Sequence, residues 1–179
     1  MRLAIDGDSA PLVAILAIVA VAVLAVALTR GRATRPVLWA CLLVSLAVIG
    51  LLTLGSAIGE GPSAAQGVNL VPFQEIDRGL NNRGTGPWRN VVGNIALFVP
   101  LGFAIACLAR GGFWARMLLA TVAGAVLSTG IELAQYSLGR VADIDDIILN
   151  TTGALAGGVV GAIVAVIVVR ARRGGADVQ

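Results

Sequence analysis

Histidine and lysine are both absent from this chain of 179 residues, and it contains only two cysteines. A conventional zinc site takes most of its ligands from histidine and cysteine at short spacings. Cys41 and Cys107 lie far apart, each inside an apolar run. That position is typical of a small buried hydrophobic side chain rather than of a metal ligand or a structural disulfide. The sequence therefore excludes a conventional zinc centre, and it identifies no cofactor.

Charge is scarce as well, at 13% of residues against 58% hydrophobic residues, and the mean hydropathy is +0.91. Soluble domains average about 25% charged residues, so this composition belongs in a bilayer. The 13 arginines outnumber the 10 acidic residues. They fall at the ends of apolar segments, where membrane topology accounts for them, so no nucleic-acid partner is indicated.

Apolar segments recur at close to the roughly 20 residues that cross a bilayer. They predict an all-α, polytopic membrane helix bundle with about five transmembrane helices. We divide the chain into two N-terminal transmembrane helices (1–57), a core with an outer loop and three transmembrane helices (58–169), and a basic, disordered tail (170–179). The predicted spans are 11–28, 36–57, 90–109, 115–136 and 146–169.

The distribution of arginine predicts the orientation in the membrane. Five spans put the two termini on opposite sides, and connectors rich in arginine favour the cytoplasm. We therefore expect the N-terminus outside and the C-terminus in the cytoplasm. The arginines placed inside are Arg30, Arg32, Arg35, Arg110, Arg116, Arg170, Arg172 and Arg173.

Polar residues concentrate in the segment 132–150, between two apolar spans. Ionisable groups at the edge of a membrane are costly unless they have partners or a task, so we interpret this segment as the functional site. Small residues at a spacing of four in both spans predict that the two glycine-bearing faces pack together. That packing brings Glu132 and Gln135 of the fourth span against Asp146 and Asn150 of the fifth, around the turn that holds Arg140.

Two further segments contribute polar or exposed groups. The loop at 58–89 is interrupted by apolar residues around Pro72 and Phe73. Either Phe73 anchors a proline turn at the membrane interface, or the segment is a lid over the polar cluster, and the sequence favours neither. In the third span, Asn90 and Asn94 lie on one helical face. Pro100 is expected to kink that helix, because proline lacks an N–H.

Five motifs follow one another in a characteristic order: Asn69 to Phe73, Asn94 to Gly102, Glu132 to Gln135, Arg140 with Asp143 to Asp146, and Asn150 to Gly153. In this order and spacing, over roughly residues 69–160, they resemble the VanZ-like family of small bacterial membrane proteins, named for a protein associated with teicoplanin resistance. The resemblance implies a multi-pass protein of the bacterial cell membrane and envelope, with a link to reduced susceptibility to glycopeptide antibiotics. The candidate ligand-binding residues are Asn69, Pro72, Phe73, Asn94, Glu132, Gln135, Arg140, Asp143, Asp146 and Asn150.

Three classes of function fit these residues. In the first, an outward pocket binds a cell-wall precursor, a lipid headgroup or the glycopeptide itself, and Arg140 pairs with a phosphate. In the second, Glu132 is the acid or base of an intramembrane enzyme acting on a lipid-linked substrate, and Asp143 and Asp146 hold a divalent metal. In the third, Glu132 carries protons in a transporter. Binding ranks first and catalysis second, because no nucleophile with an activating base is evident.

The same residues also have structural roles open to them. Asp143 or Asp145 is placed to cap the fifth helix, and for Asp145 this is the interpretation that we favour. Arg140 either pairs with Glu132 or binds the ligand, and the sequence does not separate the two. For Glu132 we favour a functional role, because an acid within a membrane segment is a functional candidate by default.

Overall fold

A computed structural model describes residues 34–59 and 67–176. In these residues helices dominate, which confirms the predicted all-α membrane bundle. The first predicted span, 11–28, lies outside the described residues. The elements in chain order are α1 (Thr34–Gly59), β1 (Val68–Asn69), α2 (Gln74–Asn81), α3 (Gly86–Leu108), α4 (Phe113–Ser137), β2 (Ala142–Asp143) and α5 (Ile144–Ala176).

Four of these helices are long and apolar enough to cross a membrane. Helix α3 begins four residues before its predicted start, because Thr85 is extended and Pro87 occupies the first turn, where proline is well tolerated. The helix continues through Pro100. Helix α5 continues to Ala176, into the segment predicted to be a disordered tail. The apolar segments within the four helices are Thr34–Leu54, Gly86–Leu108, Phe113–Ser137 and Ile144–Val169.

Helix α3 lies at the centre of the bundle. Its side chains Phe98, Leu101 and Phe103 are no more than 1% exposed. The outward sides of α1 and α4 instead carry exposed apolar side chains, such as Leu51 at 72% and Trp114 at 73%. Lipid tails are as apolar as these side chains, so the outer helices present a surface suited to the bilayer.

Helix α5 packs closely against α3 through glycine. A Cβ atom added at Gly153 or Gly157 would overlap the carbonyl oxygen of Ile95 or Val99 in α3. The expectation that these α5 glycines face the fourth span is therefore wrong, although Gly124 of α4 does lie against α5, at Ala154. The glycines of α5 recur every four residues, as do the α3 carbonyl groups that they face, so the two backbones meet along a shared line.

Hydrogen bonds bring four helix ends together at one end of the bundle. The Gln135 side chain, near the end of α4, donates to the carbonyl of Thr53, near the end of α1, at 3.0 Å. The Asn94 side chain, from the first half of α3, donates to Asp146 in the first turn of α5 at 2.6 Å. The C-terminal ends of α1 and α4 thus lie beside the N-terminal ends of α3 and α5. We call this the polar end.

The long loop also lies at the polar end, and it contains structure that the sequence did not predict. The two-residue strands β1 and β2 pair in parallel, with Val68 opposite Ala142 and Asn69 opposite Asp143. The eight-residue helix α2 follows β1. The loop is therefore attached to the chain immediately before α5.

Arg116 is buried, 8% exposed, near the start of α4. Its guanidinium group donates to the carbonyl groups of Gly111 at 2.8 Å, Ala106 at 2.9 Å and Cys107 at 3.4 Å. A cation among the last carbonyl groups of a helix stabilises that helix end. In the sequence analysis Arg116 serves only as a topology signal. In the structure it caps the C-terminal end of α3.

Candidate functional site

The centre of the polar end is the carboxylate of Asp145, which is fully buried at 0% exposed. Its two oxygens accept hydrogen bonds from the backbone N–H groups of Phe73 (2.6 Å), Glu75 (2.8 Å) and Ile76 (3.3 Å). These N–H groups belong to the beginning of α2, which has no side-chain cap of its own. Asp145 therefore caps α2, and the expectation that it caps its own helix is wrong.

Asp143 caps α5 instead, and it also joins three segments. Its Oδ1 atom accepts from the backbone N–H of Asp145 at 2.9 Å, two positions along the chain, which is the usual geometry of a helix N-cap. Its Oδ2 atom accepts from the side chain of Asn69 at 3.0 Å. Its backbone N–H donates to Oε2 of Glu132 at 2.8 Å. The loop, α4 and α5 are thus linked through one residue.

Glu132 is buried, 4% exposed, one and a half turns before the end of α4. The bond from the backbone of Asp143 gives its carboxylate a structural partner. Such a bond compensates part of the cost of burying a carboxylate. Glu132 therefore holds the turn before α5 against α4.

Asp146 faces α3. Its Oδ1 atom accepts from the side-chain amides of Asn90 at 3.0 Å and Asn94 at 2.6 Å. The sequence prediction that these two carboxamides point the same way is confirmed. It placed Asp146 against α4, however, and the structure places it against α3, because the glycine face of α5 lies there.

Two other candidates have internal partners. Nδ2 of Asn150 donates to Oγ of Ser128 at 2.9 Å between α5 and α4, and both residues are buried. Among the described residues, Oδ1 of Asn150 is a buried oxygen that no hydrogen bond reaches. Gln135 reaches the Thr53 carbonyl of α1. The predicted grouping of Gln135 with Asp146 and Asn150 is therefore not observed.

The remaining candidates lie in turns. Pro72 and Phe73 form the turn before α2, and the Phe73 side chain is 57% exposed although its backbone N–H is bonded to Asp145. Phe73 also has a φ of 69°, a left-handed conformation that non-glycine residues rarely adopt. The backbone of the loop thus folds back over the cluster, while the Phe73 side chain remains largely exposed. Arg140 is half-buried in the turn after α4, where its backbone N–H donates to Gln135 at 3.0 Å.

A cleft of about 350 Å³ opens beside this cluster, between α1 and α3. Leu52 and Thr53 line it from α1. Of the candidate residues, Asn94 lines it, while Glu132, Gln135 and Arg140 do not. The carboxamides that hold Asp146 on one side thus face open space on the other. From α3 the cleft is lined by Gly86, Arg89, Asn90, Gly93, Asn94 and Leu97.

The candidate metal ligands Asp143 and Asp146 are occupied by N–H donors. Both oxygens of Asp143 and one oxygen of Asp146 accept the hydrogen bonds described above. Within residues 34–59 and 67–176, no group of three or more carboxylate, thiol or imidazole side chains is arranged to hold a metal ion. Mg²⁺ and Ca²⁺ need several free oxygen ligands, so this donor set does not fit them.

Comparison with known proteins places the arrangement in a family. The family model described as VanZ/LLP1 matches residues 37–168. The chain belongs to the VanZ/LLP1 family. No curated protein and no solved structure matches the chain. The VanZ/LLP1 match covers the whole polar end and the membrane segments of α3 and α4, so the resemblance seen in the sequence is confirmed and the chain is a VanZ-family membrane protein.

Sequence reasoning missed two contributors to this VanZ/LLP1 site. Arg89 is exposed and lines the cleft, but in the sequence it is one of several arginines flanking a span. Ser128 is fully buried and binds Asn150, but in the sequence it belongs to a stripe of small packing residues. The position of Arg89 one residue before Asn90, at the start of an apolar helix, is the signal that could have identified it.

Proposed function

We propose that this VanZ/LLP1 protein binds a polar group of a cell-envelope molecule in the cleft between α1 and α3, and that binding lowers susceptibility to teicoplanin-type glycopeptides. The bound molecule is a cell-wall precursor, a lipid headgroup or the glycopeptide. The observation that carries this proposal is the lining of the cleft by Asn90 and Asn94, whose amides are also fixed to Asp146. Polar groups held in place before a ligand arrives favour binding, because less freedom is lost.

The location of the remaining polar side chains also supports the cleft as the binding site. The carboxylates of Asp143 and Asp145 accept hydrogen bonds from backbone N–H groups and from the Asn69 side chain, and neither residue lines the cleft. They build the scaffold that positions α3 and α5. Arg89 and the two asparagines are the polar side chains of α3 that face the open space.

Binding is preferred to acid–base catalysis because of the position of Glu132. Glu132 is 4% exposed and does not line the cleft, and its carboxylate accepts a hydrogen bond from the backbone of Asp143. A general acid or base has to come within hydrogen-bond reach of its substrate. A ligand in the cleft meets amide groups and a guanidinium group instead, which are suited to hold it rather than to transform it.

A susceptibility assay tests the proposal. Glycopeptide susceptibility is measured in bacteria that carry an empty vector, the wild-type protein, Arg89→Ala or Arg110→Ala, with the protein amounts matched by immunoblot. Arg110 is the control, because it is exposed in the connector at the opposite end of α3. We expect protection from the wild type and from Arg110→Ala, and loss of most protection from Arg89→Ala.

Two results would contradict the proposal. If the wild-type protein gives no protection over the empty vector, its role in glycopeptide susceptibility is wrong. If Arg89→Ala protects as well as Arg110→Ala, the cleft is not the site through which the protein acts.

A further inference from the structure

We propose that the ligand of the cleft is an anionic amphiphile: a lipid whose phosphate lies at Arg89 and whose first chain carbons lie between Leu52 and Leu97. This inference rests on the proposed function and specifies the class of molecule that binds. It follows from the order of polar and apolar groups along the cleft, from the space beside two glycines, and from the helices that form its walls.

The lining changes from polar to apolar with depth. Along α3, Arg89 and Asn90 come first, Asn94 follows one turn later, and Leu97 follows after that. Leu97 lies eight positions after Arg89, which at a rise of 1.5 Å per residue is about 12 Å along the helix axis. The charged group thus lies near the start of a membrane helix, and the apolar group lies well within it. A molecule with a polar head and an apolar tail matches this gradient, whereas a fully polar molecule does not.

The space is formed by missing side chains. Gly86 and Gly93 line the cleft, and a Cβ atom built at either one meets no atom within 4 Å. This contrasts with Gly153 and Gly157, where a Cβ atom would overlap the backbone of α3. The glycines at the cleft are therefore not required for helix packing, and they leave a groove along α3.

The walls of the cleft suit entry from the bilayer. Helices α1 and α3 both have the length and composition of membrane spans, and Leu52 of α1 is 53% exposed beside the cleft. A lipid tail can follow such an apolar edge without passing through water. The volume of about 350 Å³ is at the lower end of the range for ligand pockets, so it accommodates a headgroup and the start of a chain rather than a whole lipid.

The charges favour an anion at the mouth of the cleft. Arg89 is exposed and lines the cleft, and a guanidinium group pairs well with phosphate in a two-pronged geometry. Asp146 does not line the cleft, and its Oδ1 atom accepts hydrogen bonds from the amides of Asn90 and Asn94, which do line it. The positive group is therefore the one that an entering headgroup meets.

Binding of three probes to the purified full-length protein in detergent tests the inference, with native mass spectrometry as the readout. Dioctanoyl phosphatidic acid supplies head and tail, inorganic phosphate supplies the head alone, and dioctanoylglycerol supplies the tail alone. The variants are Gly93→Leu, which fills the groove, Arg89→Ala, and the control Gly130→Leu. Gly130 of α4 also has no atom within 4 Å of a Cβ position, and it does not line the cleft.

We expect the wild type to bind dioctanoyl phosphatidic acid at least about tenfold more tightly than either half-probe, a difference of about 1.4 kcal/mol. Gly93→Leu is expected to lose this binding, and Gly130→Leu is expected to keep it. Arg89→Ala is expected to bind the phosphatidic acid no better than dioctanoylglycerol. Equal binding by Gly93→Leu and Gly130→Leu would place the lipid elsewhere on the protein. Tight binding of inorganic phosphate alone would assign the site to a free anion. Either result overturns the inference.

The same variants separate this inference from the proposed function. If Gly93→Leu abolishes lipid binding but cells expressing it keep full glycopeptide protection, the lipid site stands and the proposed function fails. If Gly93→Leu abolishes protection while the wild type binds no probe, the cleft acts on susceptibility and the amphiphile is the wrong ligand.

Discussion

The backbone N–H of Phe73 donates a 2.6 Å hydrogen bond to Oδ1 of Asp145, 72 residues further along the chain. The other oxygen of Asp145 accepts from the N–H groups of Glu75 and Ile76. The first turn of a helix leaves its N–H groups without partners inside the helix. For α2, a buried carboxylate from a distant helix supplies these partners, so α5 completes the N-terminal end of the short helix.

Asp145→Asn is expected to release α2 from the bundle. The amide oxygen still accepts a bond, but the NH₂ group cannot accept from the N–H groups of Glu75 and Ile76. A buried donor that loses its partner costs about 1–3 kcal/mol. We expect a lower melting temperature in detergent and faster proteolysis within residues 67–85. Asp77→Asn, at an exposed position in α2, is the control. Equal proteolysis of the two variants would show that Asp145 does not hold the helix.

Gly157→Ala is expected to separate α3 from α5. Its Cβ atom would overlap the carbonyl oxygen of Val99, and overpacking of this kind typically costs about 1–3 kcal/mol. Gly130→Ala is the matched control in α4, where the Cβ atom meets open space. Alanine is the better helix former by about 0.5–1 kcal/mol, so this variant is expected to be as stable as the wild type or more so. Chemical unfolding in detergent measures both, and equal stability would contradict the close approach of α3 and α5.

Ser128 and Asn150 are expected to depend on each other. Ser128→Ala removes the partner of the Asn150 amide, and a buried polar group without a partner costs about 1–3 kcal/mol. In the double variant Ser128→Ala with Asn150→Leu, both polar groups are gone, and we expect most of the lost stability to return. A double-mutant cycle of unfolding free energies measures this coupling. Additive effects would mean that the pair is not formed.

The double variant also tests a functional assignment. Asn150 was predicted to bind ligand, but it is 3% exposed and does not line the cleft. We therefore expect cells that express the double variant at wild-type levels to show the same glycopeptide susceptibility as cells that express the wild type. Loss of protection with unchanged stability would return Asn150 to the binding site.

The orientation in the membrane is tested by labelling single cysteines in a background of Cys41→Ala and Cys107→Ala. Asn81 of α2 lies at the polar end, and Arg110 lies in the connector at the opposite end; both are exposed. With the C-terminus in the cytoplasm, a maleimide that cannot cross membranes should label Asn81→Cys in intact cells and Arg110→Cys only after permeabilisation. The reverse pattern would place the polar end in the cytoplasm and contradict the proposed access to an outer ligand.

The long helices were predictable because their signal is local. Length and apolar composition place the four described spans to within a few residues, and the helical spacing of Asn90 and Asn94 puts both on the face that meets Asp146. Helix α2 was not predictable in this way. It has eight residues and no cap from its own N-cap side chain, and its first N–H groups donate to Asp145, which is about 70 residues away in the sequence.

The partners of the polar residues were harder to predict than their location. The segment 132–150 suggested a local network, since α4 and α5 are neighbours in the chain. The structure links Asp146 to α3 and Gln135 to α1 instead. Helix packing decides which pairs form, and the decisive contact is that of the α5 glycines with the α3 carbonyl groups. A stripe of small residues indicates a close neighbour but does not say which one.

The two-residue ladder between β1 and β2 has a consequence for motion. With the bond from Asn69 to Asp143, it closes a ring of chain that contains α2, α3 and α4, and this ring is fastened to the start of α5. Displacing the start of α5 relative to β1 would break this ladder and the bond from Asn69 to Asp143. Helix α1 lies before the ring and is joined to it by the bond from Gln135 to the Thr53 carbonyl. A movement of α1 that widens the cleft would therefore leave the ladder intact and would act on this side-chain bond instead.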